Sequence, residues 1–414
     1  MSDKKLKVVV LSDHPFSPSG VGTQTKYMLD GLLATGRYKF LCLGGAIKHH
    51  DYRPVKTEQW GDDLIIIPTD GYGSPDQIRS VLQDFKPDIL WFMTDPRFYI
   101  WLWSFSQEIR PNVPMVYYHV WDNYPYPKFN RKYYLSNDKI VTISKLTSDI
   151  VRTVAPEVDE VYLPHAVNPE WFKPLDEKEY ANLRQKNKTF FFWTNRNARR
   201  KMSGSVIWWY KEFLDKVGHD KAFLLMHTDP KDPNGQDLEA IAQELGLTKE
   251  NFAISPGKVP PNVMAQFYNA ADCTINISDA EGFGLSVLES LSCGTPVIAN
   301  KTGGMQDQII GENGEQYGVA VEPSSRAVIG SQDVPYIYED RVSNKDVVDA
   351  MIKVHNMTRE ERKALGKKAT EHVKKNFSFE QYVSSWDKIL QETHEKNGSW
   401  ETRKNYKSWS LKEL

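Results

Sequence analysis

The sequence predicts an α/β protein made of two doubly wound, Rossmann-like domains facing across a cleft. Three observations carry that reading. Short runs rich in β-branched and aromatic residues alternate with segments of helical period, the pattern of parallel sheets covered on both sides. A linker rich in proline and charge, NPEWFKPLDEKEY, interrupts the alternation, which then restarts. At 414 residues the chain is long enough for two or three domains, each with its own core.

In the first half the strand-like runs are 7–11, 39–43, 64–67, 88–93, 115–120 and 139–143, with helices expected near 22–34, 75–85, 97–109 and 144–153. After the linker the runs are 189–194, 222–227, 251–254, 273–277, 296–299 and 318–321. The segment 322–341 has poor periodicity and is expected to be a long inserted loop, followed by helices near 345–355 and 358–375. The last helix, near 378–395, sets Phe379, Tyr382, Val383, Trp386, Ile389 and Leu390 on one stripe. A stripe that heavy needs a surface, so this helix is expected to dock across the domain junction and cross back to the first domain. The expected units are 1–175, 186–376, the crossover helix 377–395 and a tail 396–414.

Composition narrows the function classes. A formal net charge of −2 gives no global reason to bind nucleic acid or anionic lipid. The three cysteines, Cys42, Cys273 and Cys293, are far apart in apolar contexts and read as buried free thiols of a reducing compartment. No apolar run is long enough for a signal peptide or a bilayer span, so the expected location is cytoplasmic. The tail mixes Trp, Tyr and Lys. A solvated tail is favoured there over peripheral membrane contact, because one short basic-aromatic segment binds marginally.

The chemistry concentrates in SDAEGFGLSVLESLSCGTP, residues 278–296. The stretch reads as the loop after a strand and then a helix starting near Phe283 and stopping at Gly294. Gly282 and Gly284 let backbone N–H groups approach a ligand, and the helix start favours a phosphate. Glu289, one to two turns in, suits a bidentate grip on vicinal hydroxyls, as in a ribose. Glu281, in the loop, would face whatever lies beyond the phosphates. Taken as a bare pair, the two glutamates are more simply solvated, so the surrounding residues decide.

DAEGFGLSVLESLSCGTPVIANKTGG resembles the signature of retaining glycosyltransferases of the GT-B fold, family four (glycosyl transferases group 1). The resemblance extends to FFWTNRNARRKM, similar to the family's diphosphate-binding stretch, and to SPGKVPPNVMAQFYNAADCTINIS, similar to its base-binding loop. PFSPSGVGTQTKYMLDGLLATG and IVTISKLTSDIVRTVAPEVDEVYLPHAVNPEWFKP resemble the start and close of its first domain. The resemblance implies a nucleotide-diphosphate sugar donor, UDP- or GDP-linked, and transfer to an acceptor hydroxyl on a glycan, lipid or other molecule.

The site residues follow from the same likeness. Glu281 would contact the donor sugar and Glu289 the ribose. Arg196 and Lys201 would receive the departing diphosphate together with the amides of Gly282, Phe283, Gly284 and Leu285. Lys258 and Val259 would border the base, and Gly20 and Gly22 the diphosphate from the other domain, although GVGTQ replaces the family's adjacent Gly-Gly. His119, ending MVYYHV, would reach the sugar or acceptor; a satisfied core histidine is the alternative. Asp122 is displaced from the family's His-Asp pattern, leaving its role open. LPHAVN places His165 and Asn168 in the expected cleft wall, and Trp121, Tyr124 and Tyr126 are either core or an acceptor platform. No Asp-x-Asp motif occurs, so neither a metal nor another cofactor is expected. A sugar phosphorylase, an epimerase of the same fold, or a non-catalytic sugar-nucleotide binder are the rival readings.

Overall fold

The structure, a computed structural model, describes residues 5–185 and 187–407. Those residues form two compact units: the first holds the described residues up to His165, with Gly330–Pro335 and Glu380 onward, and the second holds Ala166–Ile329 and Tyr336–Phe379.

The first unit runs β1 (Leu6–Asp13), α1 (Gly20–Leu33), β2 (Tyr38–Gly45), β3 (Val55–Lys56), β4 (Leu64–Pro68), α2 (Pro75–Phe85), β5 (Ile89–Thr94), α3 (Ile100–Ser104), α4 (Ser106–Ile109), β6 (Met115–His119), α5 (Arg131–Tyr134), β7 (Lys139–Thr142), α6 (Lys145–Val154) and β8 (Glu160–Tyr162). Its sheet has the order β3-β4-β2-β1-β5-β6-β7-β8, parallel throughout except for the β3 edge. Strands β1 and β5 are buried along both faces because helices cover them, which is why their sequences are continuous apolar runs.

The second unit runs β9 (Thr189–Thr194), α7 (Ser203–Val217), β10 (Ala222–His227), α8 (Leu238–Glu244), β11 (Phe252–Ser255), α9 (Pro261–Ala270), β12 (Cys273–Asn276), α10 (Leu285–Ser292), β13 (Val297–Asn300), α11 (Met305–Ile309), β14 (Val319–Val321), β15 (Ser325–Ile329), β16 (Ile337–Arg341), α12 (Asn344–Asn356) and α13 (Arg359–Asn376). Its parallel sheet has the order β11-β10-β9-β12-β13-β14. From β9 the chain winds outward through β10 and β11, then returns to place β12 on the other side of β9. The loops after β9 and β12 therefore leave the sheet side by side, at the topological switch point where α/β sheets bind ligands.

Two expectations need correction. The segment 322–341 is not a loop: β15 and β16 form an antiparallel hairpin with Ser325 opposite Arg341 and Ile329 opposite Ile337. Its buried positions on β16 are Glu339 and Asp340, so an apolar periodicity never arises. The helix expected over 97–109 is broken at Phe105, whose φ of −122° and ψ of 24° lie outside the helix. There Trp103 packs against Phe92, Tyr117 and Tyr133 while Trp101 stacks on Phe105, and these contacts override a continuous helix.

The last helix, α14 (Phe379–Asn397), packs on the first unit. Trp386 meets Trp91 edge-on at 5.7 Å and Tyr118 at 4.8 Å, and Tyr382 Oη donates to the Gln24 carbonyl. Val383 fits against α1 only because residue 31 is glycine: a Cβ there would lie 2.4 Å from Val383 Cγ2. Ser399 and Trp400 continue the attachment through Asp88 and the Pro87 carbonyl. The solvated tail expected from 396 is thereby corrected as far as Arg403, whose nearly buried guanidinium pairs with Asp138 at 2.8 Å, whereas 408–414 lie outside the described residues and the membrane-contact expectation for that stretch with them. No helix among the described residues is long and apolar enough to cross a membrane. The three cysteines are free and buried.

Because Trp386 is fully buried among aromatic rings, Trp386→Ala is expected to cost about 3–5 kcal/mol. Urea unfolding of the variant checks this, with Trp386→Phe losing distinctly less.

Candidate functional site

The site grows from the loops at the carboxyl ends of β9 and β12. After β12 the chain turns through Ser278–Gly284 into α10. Gly284 caps that helix with φ +88°, a left-handed conformation, and a Cβ there would lie 2.7 Å from Met305 Cγ, so both backbone and packing demand glycine. No side chain caps the helix start. Asn276 Nδ2 donates to Ser286 Oγ at 3.1 Å, tying the strand end to the first turn.

After β9 the chain forms a short 3-10 turn, Arg199–Lys201, and Met202 takes a left-handed φ of 57° before α7. This geometry turns two cations onto the neighbouring loop. Lys201 Nζ is ion-paired with Glu281 Oε2, both side chains being nearly buried, 11% and 12% exposed. Arg200 donates to the Ala280 carbonyl at 2.7 Å and stands 3.5 Å from the same Glu281 oxygen. Burial acts to raise the Glu281 pKa, but Lys201 and Arg200 outweigh it and hold the carboxyl below its usual range.

Glu289 behaves in the opposite way. It is half-buried in α10 and accepts a hydrogen bond from Tyr268 Oη at 2.7 Å, and among the described residues no cation offsets its burial. Burial pushes its carboxyl up to about 7. The two glutamates that open and follow one short turn are thus held in different protonation regimes by their surroundings.

A further layer braces the turn. Arg199 is ion-paired with Glu339 of the hairpin, Arg341 joins Glu339 at 3.1 Å, and the Asp340 amide donates to the Asp279 carbonyl at 2.8 Å. Thr302 donates to Asp340 Oδ2 at 2.8 Å, and Asn300 Nδ2 donates to the carbonyls of both Ser278 and Asp340. Asp279 is pushed up to about 6, first by burial and then by Glu339.

Several expected residues sit elsewhere. Arg196 is not in the Glu281 cluster: its guanidinium grips Asp232 at 2.6 and 3.2 Å and is 63% exposed, joining the loops after β9 and β10. Arg200 is the guanidinium at Glu281, and the run of basic residues in RNARRK was the signal for it. His119 does not face outward from β6: fully buried, it contacts Tyr117 Oη at 3.1 Å and Tyr134 Oη at 2.8 Å, and burial pushes it down to about 3. That is the core histidine. His165 is likewise buried, 2.7 Å from Tyr118 Oη, and pushed down to about 3. Trp121 is buried too, donating to the Asn123 carbonyl, whereas Tyr124 and Tyr126 both donate to Asp149 with Tyr126 exposed. Asn168 caps the Glu170 amide and Asp122 is half-buried.

Gly20 opens α1 and is exposed. The Gly22 amide is not available to a ligand, since it donates to Ser19 Oγ; a Cβ on Gly22 would meet Ser17 Oγ at 2.3 Å, so packing explains that glycine. Lys258 is exposed and Val259 half-buried in the loop between β11 and α9, on the same sheet edge as Glu281. Phe283 is buried against Phe377, its carbonyl accepting from Gln308; Gly282 is buried beside it and Leu285 half-exposed. Among the described residues, no group of three or more His, Cys, Asp or Glu side chains is arranged to hold a metal ion. Tyr268, Arg200 and the Arg199–Glu339 pair were missed; the last joins positions 140 apart, with no local signal.

Residues 182–372 match the family model of glycosyl transferases group 1. The match falls almost wholly within the second unit. A stretch of 78 residues is 42% identical to D-inositol 3-phosphate glycosyltransferase of Acidothermus cellulolyticus, covering 19% of this chain and 17% of that relative. A longer stretch of 171 residues is 28% identical to alpha-monoglucosyldiacylglycerol synthase of Streptococcus pneumoniae, covering 39% and 37%. The chain thus aligns with well under two thirds of the length of these relatives. In three dimensions it resembles sucrose-phosphate synthase from Thermosynechococcus elongatus, with TM-score 0.76 at 15% identity over 95% of this chain and 100% of that one. It also resembles Anabaena HepE in complex with UDP and glucose, with TM-score 0.66 at 13% identity over 94% and 100%. The fold is GT-B, with an α/β Rossmann-like architecture in each unit.

The Glu289 carboxyl gives the second unit a pH signature. The folded protein keeps this proton to about 7, whereas the unfolded value is 4.5. Stability contributed by the proton is present below the lower value and lost as pH rises through that window. Thermal midpoints measured across it are expected to fall for the native chain and to fall less for Glu289→Gln.

Proposed function

We propose that the chain is a retaining glycosyltransferase that moves a hexose from a nucleotide-diphosphate sugar to an acceptor hydroxyl without a metal ion. The observation that carries this reading is the Lys201–Glu281 pair beside the uncapped start of α10, at the switch point of the second unit. The departing diphosphate would lie against Lys201, Arg200 and the amides at the helix start, which supply positive charge where negative charge develops. Arg196 could add to them only by leaving Asp232.

In this reading Glu281 is ionised and faces the donor sugar, with Lys201 shared between carboxylate and phosphate. Glu289 accepts from the ribose hydroxyls and does so best when deprotonated. No residue stands out as a covalent nucleophile, so transfer is by front-face displacement: the acceptor oxygen forms the new bond to the anomeric carbon as the bond to phosphate breaks, and the leaving phosphate oxygen takes the acceptor proton. A UDP-linked donor is favoured by the structural neighbours whose complexes hold UDP and UDP-glucose. The acceptor here is proposed only as a hydroxyl. A cytoplasmic setting suits three buried free thiols.

A thermal-shift panel of UDP-, GDP- and ADP-sugars tests the donor, since a ligand at a hundred times its Kd stabilises by about 2.7 kcal/mol. Glu281→Ala is expected to abolish transfer while the protein stays folded, and Lys201→Ala to lower kcat by about 10²–10³. Near-normal transfer by Glu281→Ala, or loss of turnover in EDTA restored by magnesium, overturns the reading. Affinity for the nucleoside diphosphate is expected to rise as pH passes about 7, the Glu289 value, and to lose that rise in Glu289→Gln.

A further inference from the structure

A cavity of about 610 Å³ lies in the second unit, between α13 and the segment that leads into β9. Asp272 and Thr295–Pro296, which line it, immediately precede β12 and β13. It therefore opens at the amino ends of the strands, the opposite edge of the sheet from Glu281. Six basic side chains line it against four acidic ones.

The pairing within the wall leaves positive charge uncompensated. Arg184 at 3.2 Å and Arg362 at 3.4 Å share one nearly buried carboxylate, Asp272, whose other oxygen already accepts the Phe190 amide. Glu177 is faced by three cations, Arg359 at 2.6 Å, Arg184 and Lys363. Lys367 and Lys374 continue the same face of α13, with Glu371 the acid between them and Asp176 turned to Lys178. Arg359, Lys363 and Lys367 recur every four residues, a like-charge ladder that weakens an isolated helix and is relieved by an anion lying across it. Guanidinium forks beside ammonium groups in a concave wall match the oxygens of a phosphate ester.

We propose that this cavity is a second anion site that takes a phosphate-bearing molecule, separate from the transfer site. Calorimetric titration of inorganic pyrophosphate into the full chain tests it. Lys201→Ala, which alters the edge at Glu281, is expected to keep the cavity binding, whereas Lys363→Ala/Lys367→Ala is expected to weaken it about tenfold, the worth of one charge-assisted contact. A second arm separates the sources: co-sedimentation with phosphatidylcholine vesicles containing phosphatidylglycerol. Pyrophosphate binding that is sensitive to the double variant assigns a soluble phosphate, and vesicle binding with the same sensitivity assigns a lipid headgroup. Absence of both, or binding indifferent to the double variant and lost in Lys201→Ala, overturns the proposal.

Discussion

A nearly buried carboxylate that must stay ionised is the constraint around which the second unit is arranged. Glu281 cannot sit without water beside a helix start unless cations compensate it, and Lys201 and Arg200 do so from the neighbouring loop. Satisfying that pair fixes the spacing between the turn after β9 and the turn after β12. The left-handed conformations of Met202 and Gly284 are the backbone consequences, one on each side of the pair.

The hairpin extends the same logic outward. Its buried residues are acids, held by Arg199, Arg326 and Arg341, and its backbone pairs with the loop that carries Asp279. The turn that carries Glu281 is therefore clamped by these ion pairs and by Asn300 and Thr302. A clamp built from charges near a site is also a set of fixed dipoles, which lets the turn present cations to a ligand without reorganising. The cost is an acid, Asp279, whose Oδ1 is buried without a hydrogen-bond partner.

In the first unit the organising force is aromatic. Two sets of rings do this: Trp91, Tyr118 and Trp386 meet in edge-on and tilted contacts that hold β5, β6 and α14 together, and Trp103 meets Tyr117 edge-on to join α3 to β6. His119 joins the Tyr117 set and His165 the Tyr118 set, both neutral by burial and hydrogen-bonded to tyrosines, which removes them from acid–base work at neutral pH.

Periodicity was enough to place nearly every strand of both sheets and the helices at 75–85, 344–356 and 359–376, because strands buried on both faces and helices with one apolar stripe write their environment locally. The resemblance of two separate stretches, DAEGFG and FFWTNRNARRKM, to one family's motifs placed Glu281, the glycine cap and Lys201 at one site, since β9 and β12 each end in a loop whose chemistry is contiguous. What only the tertiary structure decided were the pairings across distance: Arg196 on Asp232, Arg200 on the loop that carries Glu281, Tyr268 on Glu289, Arg199 on Glu339, and a hairpin whose inner face is charged. A side chain's partner depends on which loops the sheet order brings side by side. Hydrophobic pattern records burial and is silent on which charge meets which.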